Sequence, residues 1–201
     1  MDLVEEVIPL DGRQLALLRP RDSEALLREE AFEHEELLPY WAELWPSGVA
    51  LARALWGRAL RGARTLELGC GLGAASIVAA LCGGRVLATD WSSEAIELTD
   101  RNARRNGATL RTARCAFTEA PALAGEHAWD LVLAADVLYE RRNVALLLDV
   151  LPRLLARGGE VLLADPGRPA APAFLDGARE GFSVRTTGSD GIALHRLRRV
   201  A

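Results

Sequence analysis

Lysine is absent from this 201-residue chain: all 24 of its Lys-plus-Arg residues are arginine, set against 28 Asp and Glu for a formal net charge of −4. With that balance and no dense basic stripe, nothing draws the chain to a phosphate backbone, so nucleic acid is not expected as a partner. Cysteine is scarce too. Cys70, Cys82 and Cys115 have neither metal-like nor redox spacing, and His34, His127 and His195 stand singly, so no metal site is expected and a reducing compartment fits. Long apolar runs are missing: the longest uncharged stretch, Leu68 to Gly84, is broken by glycine and falls short of the roughly 20 residues a membrane helix needs. The opening "MDLVEEVIPL" is acidic where a secretory signal is basic. These absences lead us to expect a cytoplasmic protein with no membrane partner.

What is present is an ordinary globular composition, 50% hydrophobic and 26% charged, in a length that suits one well-cored domain. We expect a single domain over 1–201, with a hairpin and helices in 1–60 and an α/β core in 61–201. Asp11-Gly12 separates two apolar stretches and tolerates the positive φ of a hairpin turn. "SEALLREEAFEHEELL" reads as a surface helix with Ser23 as its N-cap. Its acids, Glu29 to Glu36, either dock a basic partner or form a solvated face, the simpler reading. Pro46 suits the first turn of a helix running to Gly57.

From Arg64 onward, short apolar runs alternate with helical patterns, as expected of a parallel sheet with crossover helices. The strands are "RTLELG", "RVLATD", "TLRTARC", "WDLVLAAD" and "GEVLLAD", with helices over Ala74 to Leu81, Ser93 to Asn106 and Asn143 to Ala156. "PGRPAAPA" reads as a loop. "GFSVRTTGSDGIALHRLRRV" reads as two strands about Gly188-Ser189-Asp190-Gly191, closing the sheet with an antiparallel pair. The expected fold class is a Rossmann-like, doubly wound α/β sheet, mostly parallel with an antiparallel C-terminal strand.

"TLELGCGLGAA" follows a strand and opens a helix, the context in which Gly69, Gly71 and Gly73 can bring backbone against a nucleotide ligand. Asp90 ends the next strand 23 positions after Glu67, close to the roughly 20-residue offset of an acid that meets ribose hydroxyls. Capping the following helix is the structural alternative for Asp90, but Ser92 and Ser93 can do that themselves. Gly69-x-Gly71-x-x-Ala74 would also satisfy a dinucleotide fingerprint. Glu67 argues otherwise: a carboxylate there sits poorly beside a pyrophosphate and suits the cationic charges of S-adenosylmethionine.

At these residues the chain resembles the class I, seven-stranded S-adenosylmethionine-dependent methyltransferases, whose first motif is matched by Glu67 to Gly73. "PYWAELWPSG", "LAADVLYE" and "ADPGR" narrow the resemblance to the protein-lysine methyltransferase branch that includes the electron transfer flavoprotein β-subunit lysine methyltransferases. It covers about Pro39 to Arg168. The resemblance implies S-adenosylmethionine as cofactor, with Trp45 against it, Gly69, Cys70 and Gly71 at its methionine end, Asp90 on its ribose, and Trp91 on its adenine face. Ala135 would line the same site. The family's aromatic or acidic adenine contact after the third strand has no clear match in "RCAFTEAP"; Phe117 is the candidate, with a core position as its alternative.

The implied partner is a protein presenting a lysine; a small amine, or a catalytically silent cofactor-binding module, are the competing readings, and a nicotinamide oxidoreductase is a fourth. Tyr40, Trp41 and Trp45 would wall the mouth of the site, although Trp41 and Trp56 suit core packing. Asp136, at the carboxyl edge of the fourth core strand, would orient the amine and accept its hydrogen bond. Tyr139 would pack on the alkyl chain or polarise the site. A helix cap is the alternative for Asp136, a rim aromatic for Tyr139. Asp165 and Arg168 either contact substrate or pair with one another. A lysine-directed enzyme without lysines avoids modifying itself, though compositional bias explains the absence more simply.

Overall fold

The computed structural model describes residues 1–26, 39–124 and 128–200. Strands β1 (Leu3–Leu10) and β2 (Arg13–Pro20) form the expected hairpin about Asp11-Gly12. Most of the helix expected after Ser23 falls on 27–38, outside the described residues. At its start Asp22 rather than Ser23 accepts the Ala25 N–H (3.2 Å), because an Asp side chain can close the turn three residues ahead.

Helix α1 (Pro46–Leu55) leads into the sheet. There follow β3 (Arg64–Leu68), α2 (Ala74–Leu81), β4 (Arg85–Asp90), α3 (Ser93–Arg105), β5 (Arg111–Arg114), β6 (Trp129–Ala135), α4 (Arg141–Leu154) and β7 (Leu155–Asp165). Helix α5 (Ala171–Ala178), β8 (Phe182–Ser189) and β9 (Ile192–Arg199) complete the chain. The seven-stranded sheet has the order β5-β4-β3-β6-β7-β9-β8, parallel except for β9, which runs antiparallel to both neighbours.

The strands read as continuous apolar runs because both faces are covered. In β6, Leu131 and Leu133 face the layer of α1 and α2, whereas Val132 and Ala134 face α4 and α5. Reversal of the strand order between β3 and β6 opens a crevice at the carboxyl ends of the strands, where such sheets take ligands.

Several boundaries differ from expectation. α4 starts two residues earlier than Asn143, β7 begins at Leu155 rather than Gly159, and Asp190-Gly191 alone make the last turn, both with positive φ. "PGRPAAPA" is not all loop: α5 begins within it, its Pro172 lying in the first turn, where no backbone N–H is needed.

The hairpin is fastened to the core by two asparagines, Asn102 on α3 and Asn106 at its C-cap. The Asn102 amide accepts the Leu18 N–H (2.8 Å) and donates to Leu18 O and Leu72 O (both 3.0 Å). Asn106 likewise accepts the Ala16 N–H (3.0 Å) and donates to Ala16 O (2.7 Å). The two side chains take the place of a neighbouring strand for β2, and Asn102 joins it to the glycine loop.

Candidate active site

The turn after β3 is shaped by glycines that no other residue replaces without strain. Gly73 has φ +84°, and a Cβ there would lie 2.7 Å from Thr99 Cγ2; Gly71 has φ +52°, with Trp41 O 3.3 Å from the corresponding point. The loop is then tied down from the end of β4 and from α3. Gly71 N–H donates to Asp90 Oδ2 (2.9 Å), Ser92 N–H to Asp90 Oδ1 (3.1 Å), and Thr99 Oγ1 to Gly71 O (2.8 Å). A carboxylate has about four lone-pair positions, so Asp90 keeps acceptor capacity towards the crevice. Burial raises its carboxyl above the usual range, opposed by those N–H groups. Ser92 does cap α3, accepting from Ala95 N–H, so Asp90 is not needed for that.

Glu67 is buried beneath the loop with Oε2 accepting the Ser76 N–H (2.9 Å). Burial pushes its carboxyl up to about 7; the Ser76 contacts oppose this and the Asp90 charge adds to it. Cys70 is buried beside it, and burial together with Asp90 and Glu67 pushes its thiol upward, which removes it as a nucleophile at neutral pH.

At the end of β6, Asp136 occupies the left-handed region, φ +57°. Its N–H is anchored on Ala164 O (2.9 Å) and its Oδ1 accepts from Arg168 Nε (2.7 Å). Asp136 therefore caps no helix; Glu140 is the N-cap residue of α4. Arg168 is delivered by a loop wound on Asp165, whose Oδ1 accepts the N–H groups of Gly167 (2.7 Å) and Arg168 (2.8 Å). The ion pair is thus Arg168 with Asp136, not with Asp165, because the register that aligns Ala135 with Ala164 brings the ends of β6 and β7 side by side.

Above this pair stand the aromatics. Trp45 Nε1 donates to Tyr40 O (2.7 Å), the Tyr40 and Tyr139 rings lie 5.5 Å apart, and the Arg168 guanidinium is 5.8 Å from the Trp45 ring centre. Partial burial, with help from Glu140, pushes the Tyr139 phenol up to about 12.

One cavity of about 530 Å³ joins these groups. Trp45, Gly69, Gly71, Asp90, Trp91, Phe117, Ala135, Asp136, Tyr139 and Arg168 all line it. Glu67 and Cys70 do not; they line a void of about 50 Å³ that shares Trp45, Gly69, Gly71 and Ala135 with it. Trp41 is buried and also reaches the cavity, while Trp56 packs at the core edge and donates Nε1–H to Asp11 O (2.8 Å).

A family model described as lysine methyltransferase matches residues 33–175. The chain belongs to that lysine methyltransferase family. The electron transfer flavoprotein beta subunit lysine methyltransferases of Xenopus laevis and Homo sapiens are 37% and 34% identical to it over 161 and 167 residues, covering 77% and 78% of this chain. The chain spans 63% and 59% of the length of those two proteins. Protein N-lysine methyltransferase METTL21A of Danio rerio is 32% identical over 157 residues, covering 74% of this chain and 72% of its own. Among solved structures, the T. Thermophilus 16S rRNA N2 G1207 methyltransferase superposes with a TM-score of 0.72, at 16% identity over 98% of this chain and 51% of that one. The N-methyltransferase NodS from Bradyrhizobium japonicum gives 0.63, at 19% identity over 86% of this chain and 98% of its own. At those identities the likeness concerns the fold.

Sequence reasoning missed three residues that shape the candidate site. Thr99 and Asn102 are polar residues on the buried stripe of α3, which is the signal that could have found them. Asn143, whose Nδ2 donates to Val137 O (2.9 Å) and which lines the cavity, fixes the segment between Asp136 and α4. Only its position at the predicted helix start hinted at it.

Proposed function

We propose that the chain transfers the methyl group of S-adenosylmethionine to the ε-amine of a lysine in a protein. The observation that carries this reading is the sharing of one cavity by the glycine loop with Asp90 and by the Asp136–Arg168 pair beneath three aromatic rings. The residues present fit the cofactor: buried Asp90 retains lone pairs for ribose hydroxyls, Trp91 and Phe117 offer apolar flanks for an adenine, and Gly69 and Gly71 leave the backbone bare. Glu67, which with Cys70 lines the adjoining void, supplies negative charge near the methionine end when ionised, and Ala135 floors the site. The cofactor, once bound, supplies an electrophilic methyl on a cationic sulfur.

The protein's share is positioning, exclusion of water and removal of a proton. A free lysine amine titrates at about 10.4, so it must lose a proton before it can attack. Asp136 accepts an N–H of the amine and aims its lone pair, and Tyr40, Trp45 and Tyr139 enclose the alkyl chain. Tyr139 keeps its proton at any working pH and is not the base. The three cysteines are unpaired, which supports a cytoplasmic setting, and no helix among the described residues is long and apolar enough to cross a membrane.

Incubation of the protein and its Asp136→Asn variant with methyl-tritiated S-adenosylmethionine and a lysate of its source cells tests the reading. A labelled protein band formed by the wild type alone is expected, with the label on lysine after hydrolysis. Label confined to small molecules would replace the protein acceptor with a metabolite amine, and cofactor binding without transfer would leave a silent binding module.

A further inference from the structure

A carboxylate at the acceptor site creates a chemical conflict. Asp136 is buried, and an isolated carboxylate beside an alkylammonium stabilises its charged form, raising the amine pKa by about 1–3 units. Methyl transfer requires the opposite, a neutral amine with a free lone pair. The aromatic faces above the site add to the same preference for a cation.

The structure offers a counterweight. Arg168 Nε donates to Asp136 Oδ1 (2.7 Å), and neither partner is free to wander. Asp136 is locked by its backbone bond to Ala164, and Arg168 by the turn wound on Asp165. The guanidinium also lies 5.8 Å from the Trp45 ring centre, occupying an aromatic face that would otherwise hold an ammonium. Other charges around the cavity are Asp90 and Arg114 on the cofactor side and Glu140 with Arg142, a mutual ion pair, on the outer rim. Asp165 lies beneath the loop, and the phenols of Tyr40 and Tyr139 stand above.

We propose that Arg168 is a positioning residue that neutralises Asp136 while leaving its second oxygen exposed to the acceptor, so that the site selects the neutral form of the lysine amine. This rests on the lysine reading above. A net-neutral pair orients the N–H of the amine without rewarding an extra proton. Arginine suits the task because its charge persists at every pH at which the enzyme works.

The test uses n-butylamine, the lysine side chain without its backbone, as a probe of protein saturated with S-adenosylhomocysteine. Its dissociation constant is measured by NMR line broadening between pH 8 and 9.5, about a unit above the Glu67 midpoint near 7 and well below that of Tyr139. A site that binds neutral amine gains affinity about tenfold per pH unit in this range, because the amine titrates near 10.4. A site that binds ammonium shows a flat profile there. The wild type is expected to rise, Arg168→Gln to be flat, and Arg168→Lys to rise again, with S-adenosylhomocysteine affinity unchanged throughout.

A flat wild-type profile, or one in Arg168→Gln that climbs as steeply as the wild type, overturns the proposal while leaving the lysine reading intact. A fall in amine affinity by one factor at all pH values in Arg168→Gln, its slope unchanged, marks Arg168 as merely structural and also overturns it. Absence of any amine binding by cofactor-loaded wild type overturns the lysine reading itself and this proposal with it.

Discussion

The two halves of the cavity are held by different kinds of contact. On the glycine-loop side the key bonds run through the main chain: Gly71 N–H to Asp90, Ser76 N–H to Glu67, and Thr99 to Gly71 O. Glu67 and Asp90 are only 2% and 4% exposed. On the acceptor side the backbone is anchored too, through Asp136 N–H on Ala164 O and the turn on Asp165. The groups that face the cavity there, however, meet side chain to side chain, Arg168 on Asp136, under Tyr40 and Tyr139, which are 41% and 37% exposed. Backbone contacts fix geometry regardless of most side chains, whereas side-chain contacts can be retuned by single substitutions. The first half therefore suits one unvarying ligand and the second a variable one.

The largest effect that would sharpen this contrast is at Asp136. Asp136→Asn should lower kcat by at least about a hundredfold, with cofactor affinity by calorimetry within about twofold of wild type. A matching loss of cofactor affinity would break the division between the halves.

Next comes Asn102, fully buried and bonded to both β2 and the glycine loop. Asn102→Ala leaves three backbone groups without partners, the buried Leu72 O and the half-buried Leu18 N–H and O, and should cost about 2 kcal/mol in urea unfolding. Its damage should extend to cofactor binding, while an exposed rim change should leave stability unmoved.

Glu67 supplies a pH-dependent effect. Its folded pKa is raised from 4.5 to about 7. The stability linked to its proton is therefore fully present below 4.5 and lost as pH rises to about 7, on the order of 3 kcal/mol. A cationic ligand favours the carboxylate, so S-adenosylmethionine affinity should increase, by up to about tenfold, from pH 6 to pH 8. Calorimetric titration across that range checks it, and Glu67→Gln should flatten the slope. The smallest effect expected is that of Tyr139→Phe: less than about threefold on kcat, because the ring remains and the phenol carries no charge at neutral pH.

The glycine-loop half of the cavity was largely legible in the sequence because its elements are local: strand, Gly69 to Gly73, helix, then an acid on the next strand. β3, β4 and β6 were legible because doubly covered strands become apolar runs. Arg168 was visible, but its partner was not, since Asp136 is 32 residues away and only the β6/β7 register brings them together. The Asn102 and Asn106 clamp was hidden for the same reason: its bonds to β2 join residues 84 and 90 positions apart. α5 was obscured by prolines, although Pro172 lies in the one turn that tolerates it.

The left-handed backbone of Asp136 narrows the paths by which this site can diverge. At φ +57°, Asp and Asn are accommodated far better than most side chains, while glycine fits without carrying any polar group. Alanine there would lose the carboxylate and strain the turn, whereas glutamate would keep the charge and strain the turn alone. A lineage that abandons the carboxylate can retain the turn through Asn or Gly, so the chemistry of the acceptor side can change while the glycine-loop side of the cavity stays intact.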